Sequence, residues 1–258
     1  RGISVLNKSK NSSNTSIHFG EVYDILLVSK IPYKKKQRGQ QYTFVGIGNP
    51  ELKGKIKTQD FSFNKYALSP KNRGGYIADL APLPGTLLEL KAISKLPIFD
   101  KSTLYISEMA TERNVTESEE LSNAAVISFA THGLLSGEFD LYSEPGLVLT
   151  PDNPNDKKAD GFFTLSDILT LDLQSEIVFL SACDTGASRS KYSPPFSGLA
   201  SAFIAAGSEK VVVSLWPIED KATRLLMELF VKMRGKNDDW LTAKRSAINE
   251  FRKIYPEY

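Results

Sequence analysis

From Tyr42 onward the apolar residues alternate between two patterns. Short dense runs give way to stretches in which they recur every three or four positions. YTFVGIGNP (42–50) reads as a strand running into a Gly/Asn/Pro turn. TLLELKAISKL (86–96) sets Leu87, Leu90 and Ile93 on one helical stripe. STLYIS (102–107) is a short strand, Thr116 and Glu119 form an expected capping box, and NAAVISFATHG (123–133) is a β-rich run ending in Gly. EPGLVLTP (144–151) reads as one strand inside a long polar excursion that ends at DKKADG. Thr164 and Asp167 cap the next helix, SEIVFLSACDTG (175–186) is a buried strand, SGLASAFIAAG (197–207) a small-residue helix closed by Gly207, and EKVVVSLWP (209–217) a further buried strand. Two amphipathic helices follow, one carrying Ala222, Leu225, Leu226, Leu229, Phe230 and Met233, the other Trp240, Ala243, Ala247 and Phe251. Near-continuous apolar strands alternating with helices predict an α/β sandwich whose mainly parallel sheet is covered on both faces.

Residues 1–41 read differently, and 42–258 are expected to form the domain proper. NKSKNSSNTS is polar and of low complexity, EVYDILLVSKI is apolar enough for a short strand or helix, and PYKKKQRGQQ is a solvated basic turn. The sequence opens on Arg1 rather than Met, so the expectation is a fragment or processed piece, with any upstream module lying outside it.

Composition narrows the function classes. Of 258 residues 41% are hydrophobic, and 32 basic residues nearly balance 30 acidic ones, which gives no reason to expect nucleic acid or an anionic membrane as partner. A single cysteine cannot form an internal disulfide and suits a reducing compartment. No run approaches the roughly 20 apolar residues of a spanning helix. With two histidines and one cysteine, no clustered spacing suggests zinc.

In a parallel sheet, ligands bind beyond the carboxyl ends of the strands. His132 and Cys183 both sit there, each directly after a β-rich run and before a Gly-containing turn, 51 residues apart (183 − 132). An imidazole beside a thiol lowers its pKa or takes its proton during attack. The alternative is a strand-end cysteine packed as a small hydrophobe and a histidine held in a turn. The paired placement favours the dyad. His18, in the polar N-terminal stretch, receives no role. CDTGASRS (183–190) matches the C-x-x-G-x-x-R-S loop of cysteine phosphatases, yet Pro194 and Pro195 oppose a helix starting at Arg189, Ala182 stands where those enzymes carry His, and WPIED follows the cysteine instead of preceding it. The match reads as chance.

FATHG, DGFFTLSDI, LSACDTG, SGLASAFIAAGSEKVVVSLWP and LPGTLLELKAI, in this order apart from the last, which comes first, resemble a CHAT domain. The likeness runs from about residue 42 to residue 234. CHAT domains are caspase- and separase-like cysteine peptidases, often joined to TPR repeats in bacteria. The resemblance implies a caspase-like α/β/α sandwich, His132 as general base, Cys183 as nucleophile, and the amides of Gly133 and Cys183 as oxyanion donors. It implies that Ser181, two before the cysteine, lines the pocket for the substrate side chain preceding the cut, small and neutral there. It implies Trp216 as a pocket wall and Asp220 or Glu219 as a partner for a basic side chain, although Asp220 reads better as the N-terminal charge of the following helix and Trp216 as core. Asp184, next to the nucleophile, belongs to the same substrate-binding set. The polar segment 184–197 corresponds to the caspase activation loops. No cofactor is needed. The expected partners are protein substrates and a TPR or other regulatory module, and the expected setting is a bacterial cytoplasm. The chief rival is a catalytically silent CHAT-like scaffold that binds a peptide without cutting it.

Overall fold

The computed structural model describes residues 26–28, 41–53, 77, 80–134, 144–152, 159–181, 197–213, 220–236 and 239–255. Nine strands are formed there: β1 (Leu26–Val28), β2 (Thr43–Pro50), β3 (Lys101–Ser107), β4 (Val126–Ala130), β5 (Gly133–Leu134), β6 (Gly146–Val148), β7 (Phe162–Thr164), β8 (Ile177–Leu180) and β9 (Lys210–Val213). The helices are α1 (Pro84–Ser94), α2 (Glu112–Thr116), α3 (Glu119–Asn123), α4 (Leu165–Ile168), α5 (Ser197–Ala205), α6 (Asp220–Arg234) and α7 (Trp240–Ile254).

The main sheet runs β1-β9-β8-β4-β2-β3. Its last five strands are parallel, and β1 joins the β9 edge antiparallel. β1 therefore comes from the N-terminal stretch whose pattern left strand and helix open. The expected mainly parallel α/β/α sandwich is the architecture observed.

Alternation along the strands divides the core. Val45, Ile47, Ile127, Phe129, Val178 and Leu180 face one layer with Leu199 and Phe203 of α5. Phe44, Val126, Ala130, Ile177 and Phe179 face the other, against α1, α6 and α7. Phe129 packs on Phe203 with ring centroids 5.2 Å apart, and Phe179 meets Phe230 and Trp240 edge to face. The face-to-edge geometry suits the ring quadrupoles.

One local reading needs revision. Thr116 ends α2, and its hydroxyl donates back to the Glu112 carbonyl. The cap of α3 is Ser118, which accepts from the Leu121 amide at 2.9 Å. Both threonine and serine suit a cap, and the chain's turn at Glu117 decides which one is in place. The Thr164–Asp167 capping box does form, with both reciprocal bonds. Inside the polar excursion the one expected strand, β6, is formed, and β5 and β7 at its two ends complete a small antiparallel sheet with it. Two- and three-residue strands are too short to show a period, which is why only β6 was legible.

Candidate active site

The C-terminal ends of β4 and β8 lie side by side. Their ladder pairs Val126 with Ile177 and continues in step to Phe129 with Leu180. The Ser181 amide extends it by donating to the Phe129 carbonyl at 2.9 Å. Each pair differs by 51 in sequence number, since 177 − 126 = 51.

Two residues past β4, His132 is 4% exposed. By the alternation that puts Val126 and Ala130 against α1, it faces the same layer. Its Nε2 lies 2.8 Å from the carbonyl of Ala81, just ahead of α1. A carbonyl oxygen only accepts, so Nε2 carries the proton and the lone pair lies on Nδ1. Burial holds the ring's pKa below the usual histidine value, and the Ala81 bond opposes that shift only in part. The neutral ring is the form that can accept a proton.

The backbone around His132 is tied to the small sheet. The Val148 amide donates to the His132 carbonyl at 2.8 Å, and Thr131 Oγ1 donates to the Val148 carbonyl at 2.5 Å. The first of these bonds flanks the Gly133–Leu147 pair. In antiparallel alternation such a pair exchanges no bonds of its own, so the Gly133 amide is turned away from β6. Thr150, two residues on, fastens the same sheet to the main one: its amide donates to the Ala110 carbonyl at 2.7 Å and its hydroxyl to the Ser107 carbonyl at 2.6 Å.

Ser181 is 6% exposed, and its hydroxyl has no hydrogen-bond partner among the described residues. An unpaired buried hydroxyl costs stability of order 1–3 kcal/mol, so its place at the strand end calls for a reason. By the alternation of Ile177 and Phe179, it shares the face of His132.

Of the residues singled out in the sequence, His132, Gly133 and Ser181 are thus brought to one end of two adjacent strands. Asp220 is the first residue of α6. Cys183, Asp184, Trp216 and Glu219, and all but the last residue of segment 184–197, lie outside the described residues. The Ala81 carbonyl was missed, because a backbone acceptor leaves no mark on residue type. Among the described residues no group of three or more His, Cys, Asp or Glu is arranged to hold a metal ion, and no helix is long and apolar enough to cross a membrane.

Comparison with known proteins gives one family. The model of the CHAT domain, a family related to the caspase-like peptidases, matches residues 13–253. The match starts well before Tyr42 and takes in β1. No curated protein matches the chain.

Proposed function

Because the chain belongs to the CHAT domain family, we propose that it is a cysteine endopeptidase that cuts specific protein substrates through Cys183 and His132. The observation that carries this reading is the setting of His132: buried, neutral, held at Nε2 by the Ala81 carbonyl, with its basic nitrogen on the other side of the ring. The register supports the pairing. Position 183 is to β8 what position 132 is to β4, since the ladder offset and the His–Cys separation are both 51.

In this reading Nδ1 of His132 takes the thiol proton and the Cys183 sulfur attacks the peptide carbonyl. The tetrahedral oxyanion is met by the Gly133 and Cys183 amides, an arrangement that stabilises charge only as it develops. The C–N bond breaks as His132 returns the proton to the leaving amine, leaving a thioester. Water then hydrolyses the thioester, and His132 again holds the proton in transit. Ser181, whose hydroxyl has no partner among the described residues, faces the residue before the cut in this reading, with Trp216, Asp184 and Asp220 as further substrate contacts. A regulatory module such as a TPR array would control access.

The single cysteine makes the test clean. An ordinary thiol with pKa near 8.5 is only about 3% ionised at pH 7. Alkylation by iodoacetamide at pH 6.5–7 is expected to run roughly 10-fold or more faster in the parent than in His132→Ala. Equal rates would remove the dyad and leave a silent, peptide-binding domain. A peptide warhead that labels the parent and spares His132→Ala would add the substrate-binding half of the reading.

A further inference from the structure

Away from the strand ends, the side chain least expected in its place is Glu112. It opens α2 yet is 3% exposed. Its Oε1 accepts the Gly161 amide at 2.7 Å, immediately ahead of β7. Asp160, itself buried, accepts the Phe162 amide at 2.9 Å, and Asp167 on α4 completes the group. Among the described residues these two aspartates are the charges that face Glu112. Arg113 on its own helix is exposed, and β6 and β7 carry no ionisable side chain. Burial, with the two aspartates adding to it and the Gly161 and Phe162 amides opposing, pushes the Glu112 carboxyl up to about 8.

The same contacts lead to His132. The Gly161 carbonyl accepts the Leu149 amide at 2.7 Å, the Val148 amide holds the His132 carbonyl, and the Thr150 amide reaches Ala110, two residues before Glu112. Gly161 has φ +88°, and a Cβ there would lie 2.8 Å from the Leu149 carbonyl oxygen, so the corner is fixed by glycine. The β6–β7 pair is therefore hung between the start of α2 and the backbone of His132.

We propose that Glu112 is a proton-dependent clamp on the β6–β7 pair, and through it on the backbone of His132. The uncharged carboxyl can stay buried against the Gly161 amide, while the carboxylate, penalised first by desolvation and then by Asp160 and Asp167, favours opening of the pair to water. The clamp regulates the site whatever chemistry the site performs, so its test does not depend on the peptidase reading.

Amide hydrogen exchange on the whole chain, corrected for the intrinsic pH dependence of exchange, reads the clamp directly. Opening returns the carboxyl to its ordinary value and releases a proton. Protection at Gly161, Leu149 and Val148 is therefore expected to fall about tenfold per pH unit, about a hundredfold from pH 5.5 to 7.5. In Glu112→Gln, which keeps the acceptor and cannot ionise, protection at these amides should not vary with pH. Asp160→Asn keeps the clamp and removes one repelling charge, so its decline should level off at a lower pH than the parent's. A flat profile in the parent overturns the clamp without need of any variant. So does a slope that persists in Glu112→Gln, or one seen at Gly161 while Val148 stays level.

Discussion

Gly46 and Gly48 stand two residues apart on β2 and turn the same face toward α1, yet their replacement by alanine should have very different costs. A Cβ at Gly46 would meet Leu104 Cδ2 at 2.8 Å, Leu90 Cδ2 at 2.9 Å and Phe44 Cε1 at 3.1 Å. All three are the ends of side chains that can swing aside. A Cβ at Gly48 would lie 2.1 Å from the carbonyl oxygen of Ala130 and 3.0 Å from its carbon. Those are backbone atoms of the neighbouring strand, so β2 and β4 must part by about 1 Å to restore ordinary contact. The ladder between Gly48 and Ala130 would be lost with them. Overpacking costs about 1–3 kcal/mol, and alanine recovers about 0.5–1 kcal/mol of that as a better strand residue. Gly46→Ala is then expected to lose about 1 kcal/mol. Gly48→Ala should lose about 3 kcal/mol or more, roughly 2–4 °C of melting temperature for each kcal/mol. Guanidinium titration of the two variants beside the parent measures the difference. Because Ala130 lies two residues before His132, Gly48→Ala should also disturb the His132 ring resonances, while Gly46→Ala leaves them in place. A Gly46→Ala cost equal to or above that of Gly48→Ala would refute the reasoning.

Two predictions concern pH. His132 is buried neutral in the folded chain and free to charge in the unfolded one, so its contribution to stability is whole above about pH 6.5 and is lost as pH falls below it. Its ring resonances should show no titration near 6.5, and a midpoint there would contradict the burial argument. Glu112 has the opposite sign: the folded state binds the extra proton between pH 4.5 and about 8, so stability falls as pH rises through that window and levels off above it. At pH 7 this spans two and a half units at about 1.4 kcal/mol each, about 3 kcal/mol in all. Glu112→Gln should therefore be the more stable protein at pH 7 and match the parent near pH 4.5. Parallel stability profiles for the two would sink that account.

What the sequence determined by itself was local. Dense apolar runs and helical stripes marked β2, β3, β4, β8, β9, α1, α6 and α7, because period and residue type are properties of neighbouring positions. The order of motifs indicated the family, and the rarity of His and Cys singled out His132. The tertiary structure decided what depends on partners far along the chain. The β4–β8 offset, the Ala81 carbonyl on a ring 51 residues away, and the turning of the Gly133 amide away from β6 all follow from strand register and packing. Glu112 shows the contrast most clearly. Nothing in MATERNVTES marks it for burial, and in the first turn of α2 the helix terminus by itself would favour a negative charge. Folding buries it against Gly161, Asp160 and Asp167, and desolvation then outweighs the helix dipole and keeps it uncharged.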